Sequence, residues 1–326
     1  MTTRPVVIDT DPGCDDAVAL LLALENPALE VVGLTTVHGN APVADTTRNA
    51  RAILESVDRT GVPIAAGADR PLNVLLETAE EIHGEGGIRG ELPEPTPATQ
   101  PADVHAARFI VEQARAHDGD LALAAIGPLT NVALAHALEP ELPDLLDELI
   151  VMGGAAFAQG NATPLAEANF HSDPHAARRV VRDCEPTLVG LDVTTQATVP
   201  PARLESLSED EGRDRDDALA HSIREWLTYY DAARLERYGI ESAALHDALA
   251  VAGLVDGNVL ETESYPLEVG TDGDLARGAL VADRNGVTGD EPNGDVALEA
   301  DYERFRELVA GSLDRFLTVA EAEDSR

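Results

Sequence analysis

Lysine does not occur in this 326-residue chain; its 23 basic residues are all arginine. Against them stand 60 aspartates and glutamates, for a net charge of -37. A nucleic-acid binder needs a basic footprint, and so acidic a surface repels phosphates, which argues against DNA or RNA as a partner. Cysteine is nearly missing as well. Cys14 and Cys184 lie far apart without metal or redox spacing, as expected of reduced thiols in a cytoplasmic protein. No stretch approaches the roughly 20 apolar residues of a membrane span. The opening "MTTRPVVIDT" runs almost directly into a strand, with no signal-peptide architecture. The expectation is a cytoplasmic protein with no membrane partner.

What is present is a core. Hydrophobic residues make up 44% of the chain, enough for one large domain, and clear periodicity argues against disorder. The acidic excess then suits a halophile's protein, kept hydrated in concentrated salt where screening removes most self-repulsion.

Continuous apolar runs at 5–10, 30–37, 63–67, 121–127, 149–154 and 187–194 read as strands buried on both faces. Helical patterns lie between them, notably over 43–57, 102–117 and 173–183. This alternation predicts an α/β fold, a doubly wound and mainly parallel sheet with helices on both faces. After residue 215 the pattern turns helical, followed by a β-hairpin region at 259–284 and a terminal helix at 301–322. Residues 68–101, rich in Pro, Glu and Gly, read as a functional flap or mobile insert. Residues 207–217 read as solvated charge. No linker divides the chain, so a single domain spanning 1–326 is expected, with a mostly helical region at 200–256.

The chemistry concentrates in "DTDPGCDDA". Asp9 and Asp11 fall at the carboxyl end of the first strand, where open parallel sheets bind ligands. After the Pro12-Gly13 turn, Asp15 and Asp16 begin a helix, whose dipole favours acids there. That does not account for Asp11 beside them. Like charges this close cost stability unless a cation neutralises them, and oxygen-only ligands select a hard ion, Ca²⁺ or Mg²⁺. Further signals end other strands: "GPLTN" (127–131), "MGG" (152–154), "GNATPLAEAN" (160–169), whose Glu167 and Asn169 share one face if extended, and "HD" at 246–247.

In this order, with "HGN" at 38–40, these motifs resemble the inosine-uridine preferring nucleoside hydrolase family over residues 6 to about 256. The resemblance implies a single α/β domain, one tightly bound Ca²⁺ and hydrolysis of the N-glycosidic bond of ribonucleosides. It implies Asp11, Asp16 and Asp247 as carboxylate ligands of Ca²⁺, with the Ile126 backbone carbonyl as a further ligand where the family usually has threonine. A calcium-bound water, with Asp11 as general base, would attack the anomeric carbon through an oxocarbenium-like transition state. Asp15, Asn40, Asn161, Glu167 and Asn169 would hold the ribose, Met152 would pack against it, and His246 would serve the leaving base. His83 would reach the site from the flap. A homodimer or homotetramer is implied by resemblance alone.

Several residues also have plainer readings. Asn40 could cap the helix starting near 42, Met152 could be core, and Cys14 is better read as buried filler than as a nucleophile. Ala168 stands where the family commonly has an aromatic, so base-side rings must come from Trp226, Tyr229, Tyr230 or Tyr238. Two other functions stay open. A haloacid dehalogenase-type phosphatase also opens with D-x-D, but it needs a downstream Lys or Arg. A non-catalytic nucleoside- or calcium-binding protein would keep the carboxylates without turnover.

Overall fold

Val6, Val7 and Ile8 have no exposed surface, and they face alternate sides of the first strand, β1 (Arg4–Thr10). Val6 and Ile8 join one hydrophobic cluster and Val7 the other. The same division repeats in β4 (Leu121–Ala125), where Ala122 and Ala124 face one cluster while Leu121, Leu123 and Ala125 face the second. Strands apolar on both faces can be buried only between two helical layers, as the continuous runs predict.

The computed structural model describes residues 3–88, 92–199, 228–229 and 244–323. From β1 the chain passes through α1 (Cys14–Glu25), β2 (Leu29–Thr36), α2 (Val43–Ser56) and β3 (Ile64–Ala66), then the short α3 (Glu80–His83). After α4 (Ala106–His117) and β4 come α5 (Thr130–Leu138), β5 (Leu146–Met152), α6 (Ala168–Ser172), α7 (Pro174–Asp183), β6 (Thr187–Val189) and α8 (Leu191–Thr194). Beyond residue 244 follow α9 (His246–Val255), β7 (Leu260–Tyr265), β8 (Leu267–Val269), β9 (Leu280–Ala282), β10 (Gly294–Ala300) and α10 (Tyr302–Glu323). Eight strands form one sheet in the order β3-β2-β1-β4-β5-β6-β10-β7, parallel except for β7 against β10. Helices α1, α2, α9 and α10 cover one face, and α4, α5 and α7 the other. This is the expected doubly wound α/β fold.

Two local expectations change, and one strand is added. The run 187–194 is not one strand: β6 ends at Val189 and α8 follows. Asp192 explains the break, because its carboxylate accepts the backbone N–H groups of Ala156, Phe157 and Ala158, tying α8 to the loop after β5. The 259–284 region is not a simple hairpin, since β7 extends the main sheet while β8 and β9 pair separately. Strand β10, with no long apolar run to announce it, inserts between β6 and β7.

Within 68–101 the structure places α3 and two 3-10 turns, at 85–87 and 97–99. Its inner part is anchored: Asn49 Nδ2 donates to both Pro12 O and Gly86 O, and Ala79 N donates to Gly39 O. The charged stretch 207–217 lies outside the described residues. Among the described residues, no helix is long and apolar enough to cross a membrane.

Candidate active site

The sheet order reverses at the β1–β4 pair, β2 and β3 lying on one side and β5 and β6 on the other. Loops leaving such neighbours diverge and leave a crevice beyond their carboxyl ends. Residues 11–13 and 126–129 leave β1 and β4 at this point, and the acidic cluster sits there.

Asp9, still within β1, points into the protein. Its Oδ1 accepts from Thr35 Oγ1 (2.6 Å) and Asn131 Nδ2 (2.8 Å), while Oδ2 is buried without a hydrogen-bond partner among the described residues. Burial pushes this carboxyl up to about 7. Asn131 also donates to Thr36 O and accepts from Ala68 N, so one amide fixes Asp9, the end of β2 and the start of the 68–101 segment.

Asp11 is 2% exposed and accepts the Asn40 backbone N–H at 2.7 Å. A Cβ on either Gly39 or Gly127 would overlap its carboxylate, so only glycines permit this approach. Asp16 accepts from Thr10 Oγ1 (2.6 Å), from Gly13 N (3.0 Å) and from Asn40 Nδ2 (3.1 Å). Asn40 Nδ2 also donates to Asp11 O at 3.1 Å. Asn40 therefore braces the cluster, and the N-cap of α2 is Pro42 instead. A Cβ on Gly13 would lie 2.5 Å from Asn40 Nδ2 and 2.8 Å from His83 Nδ1, which places His83 at the rim of the site.

Asp247, in the first turn of α9, completes the group. Oxygens of Asp15, Asp16 and Asp247 lie within 4.8 Å of one another, and Asp16 and Asp247 share a hydrogen bond. Asp15 accepts the backbone N–H groups of His246 and Asp247, so it also caps α9. Burial is the chief cause that raises all four cluster carboxyls, and mutual repulsion adds to it for Asp11, Asp15 and Asp247. Asp15 is pushed up to about 7, and Asp11 and Asp247 are held well above the ordinary range. Among the described residues, no arginine forms an ion pair with any of them. Buried carboxylates without a cationic side chain suit a hard divalent ion, which the oxygen-only donor set favours.

The ribose-motif residues arrive from the loop after β5. Glu167 and Asn169 are not extended neighbours: Glu167 is the N-cap of α6, and its buried carboxylate accepts from the N–H groups of Gly154, Asn169 and Phe170. Burial raises its pKa. Asn169 Nδ2 donates to Ile126 O (3.0 Å) and Met152 O (3.2 Å), linking the ends of β4 and β5. Met152 is 3% exposed and belongs to the core cluster while touching Asn169 through its sulfur. Asn161 is exposed, in a turn whose backbone returns to Ala166, and no side-chain contact brings it to the cluster among the described residues. His246 opens α9, half-buried, with Nδ1 2.8 Å from Thr194 Oγ1. Of the expected base-side rings, Tyr229 is 39% exposed; Trp226, Tyr230 and Tyr238 lie outside the described residues.

Two residues here have roles that the sequence does not reveal. Thr194 sits inside an apolar run. Asn131 ends "GPLTN", a visible motif, but only the fold shows its amide reaching back to Asp9.

The fold and this oxygen-lined crevice define the class first: a doubly wound α/β protein with an acidic cluster at its switch point that could hold a metal ion. The family model for inosine-uridine preferring nucleoside hydrolase matches residues 6–307. The inosine-uridine preferring nucleoside hydrolase of Crithidia fasciculata is 38% identical over 315 residues, covering 96% of this chain and 98% of that protein. The pyrimidine-specific ribonucleoside hydrolase RihA of Shewanella sp. (strain MR-7) is 36% identical, covering 95% and 96%. Among solved structures, the plant nucleoside hydrolase PpNRh1 superposes with a TM-score of 0.88 at 30% identity, covering 96% of this chain and 99% of that one. A purine-preferring ribonucleoside hydrolase from Gardnerella vaginalis gives 0.89 at 27% identity, covering 97% and 100%. The chain belongs to the inosine-uridine preferring nucleoside hydrolase family, whose reaction is hydrolysis of the ribonucleoside N-glycosidic bond.

Proposed function

We propose that this protein is a calcium-dependent hydrolase of ribonucleosides that releases ribose and free base from both uridine and inosine. The observation that carries the calcium requirement is the gathering of buried Asp11, Asp16 and Asp247 with half-buried Asp15, without a cationic side chain among the described residues. Asp11, Asp16, Asp247 and the Ile126 carbonyl would hold the ion. When bound, calcium supplies the charge that keeps these carboxylates ionised and lowers the pKa of a water molecule in its shell.

The rest of the chemistry belongs to the chain. Asp11, fixed by the Asn40 N–H, takes the proton of the attacking water as general base. Asp15, Asn40, Asn161, Glu167 and Asn169 hold the ribose hydroxyls, with Met152 beneath the ring. The carboxylates of Asp15 and Glu167, when ionised, favour the oxocarbenium character that develops at C1′ as the glycosidic bond breaks. His246 delivers a proton to the departing base, and His83 closes over it from the rim. Acceptance of both uridine and inosine is supported by the name of the Crithidia relative and by the small, exposed Ala168 beside the ribose loop. Homo-oligomerisation and a cytoplasmic location complete this reading.

The test is ribose release from a nucleoside panel in concentrated salt, with and without a calcium chelator, for the wild type and Asp11→Asn. Turnover abolished by chelation and reduced by about 10² or more in Asp11→Asn is expected. Chelator-insensitive turnover refutes the calcium reading, and ligand binding without turnover in the wild type makes the protein a binder.

A further inference from the structure

We infer that Arg277 is a positioning residue that ties the flap to the ribose loop, by bridging Glu77 of the flap to His171 of α6. The inference rests on the proposed ribose contacts of Glu167 and Asn169, and adds the element that joins their helix to the flap. Arg277 lies in the loop between β8 and β9, its side chain 25% exposed. Its Nε and Nη2 lie 3.2 and 2.8 Å from His171 Nε2, and Nη2 also lies 3.4 Å from Glu77 Oε2. Burial and the guanidinium both lower the His171 pKa, which keeps the ring neutral and able to accept.

The loop that presents Arg277 is pressed onto the ribose segment. Gly278 has φ +79°, and a Cβ there would lie 2.6 Å from His171 Cα, so only glycine allows the approach. Ala279 bridges Ala166 in antiparallel fashion, and Thr163 Oγ1 donates to Leu275 O (3.3 Å). The guanidinium is thereby held against the short helix that carries Asn169. The flap begins at the same place: Leu72 N donates to buried Asp173 (2.8 Å), and Asn73 Nδ2 lies 3.3 Å from His175 Nε2. The next anchor is Ala79 N, which donates to Gly39 O beside Asp11. Between these anchors, among the described residues, Arg277 supplies the polar contact that ties 74–78 to the rest of the protein. Leu75, 85% exposed, adds little packing. Exposed ion pairs are usually weak, but here His171 and the loop fix the guanidinium in advance and spare side-chain entropy. A flap held in place for less of the time weakens substrate binding in proportion, and saturating substrate restores it. The loss therefore falls on KM.

The experiment measures ribose release from uridine by the wild type, Arg277→Met, Glu77→Gln and the double variant, together with amide hydrogen exchange over 72–79. Arg277→Met keeps the aliphatic stem and removes the guanidinium. The expected result is a KM raised about three- to fivefold in either single variant, with kcat within about twofold of the wild type. The double variant is expected to be no worse than Arg277→Met, because both changes act through one contact. Exchange over 72–79 is expected to quicken about threefold in the variants, with the central strands unchanged. If Arg277→Met fails to fold, Glu77→Gln, on an exposed side chain, decides by the same readings. An unchanged KM, additive losses in the double variant, a fall in kcat at constant KM, or unaltered exchange over 72–79 overturns the inference. A wild type without ribose release overturns the hydrolase reading instead, and exchange over 72–79 then decides the tether by itself.

Discussion

Binding of one calcium ion near pH 6 is expected to release protons from the acidic cluster. Burial, aided by neighbouring carboxylates, holds Asp11 and Asp247 well above the ordinary range and pushes Asp15 to about 7. The ion-free protein therefore holds protons on Asp11 and Asp247 to higher pH than free carboxyls do, and at that pH carries most of one on Asp15. Coordinating carboxylates must be ionised, so any proton held on Asp11 or Asp247 would leave when they ligate the ion. Each proton released makes the apparent affinity rise about tenfold per pH unit. Stability follows with a definite sign. A carboxyl raised in the folded state favours folding fully below its unfolded value, and that contribution is lost as pH climbs through the folded one. For Asp9, raised from 3.8 to about 7, the loss is about 4 kcal/mol between the two values. The ion-free protein is thus most stable in acid and weakens toward neutrality, whereas calcium flattens that decline. Calorimetry in buffers of different ionisation enthalpy measures the protons, and thermal denaturation across pH measures the stability. Release of less than about one proton, or an affinity constant from about pH 5 to 7, refutes the electrostatic reasoning.

Three further outcomes follow from the same geometry. Gly127→Ala places a Cβ against Asp11 Oδ1 and is expected to cost about 10² in kcat by displacing the base, with near-UV dichroism unchanged; wild-type kcat refutes the tight fit. Asn131→Ala strips partners from Asp9, Thr36 O and Ala68 N together. It is expected to destabilise by about 2–4 kcal/mol in urea unfolding, and a loss below about 0.5 kcal/mol shows that water replaces the amide. With a net charge of -37, the protein is expected to lose its thermal transition on dilution to about 0.01 M salt, where the screening length reaches about 30 Å; an unchanged melting temperature removes the argument for a saline habitat.

The sequence by itself determined the layers and the location of the chemistry. Unbroken apolar strands can only be buried on both faces, and a D-x-D after the first of them must emerge at the carboxyl edge of a parallel sheet. Both conclusions need only local pattern and the chirality of crossovers. Tertiary structure decided what lay across large separations in the chain. Asp247 meets Asp15 and Asp16 only because α9 packs beside α1, and Asn131 reaches Asp9 only because β1 and β4 are neighbours. Glu167 became a helix cap instead of an extended-chain residue because Gly154 and the start of α6 offered it three N–H groups. Thr194 stayed hidden in an apolar run because a hydroxyl's partner is fixed by packing, while hydrophobic period is fixed by the chain. Burial did the rest, raising the pKa of side chains that are ordinary acids in water.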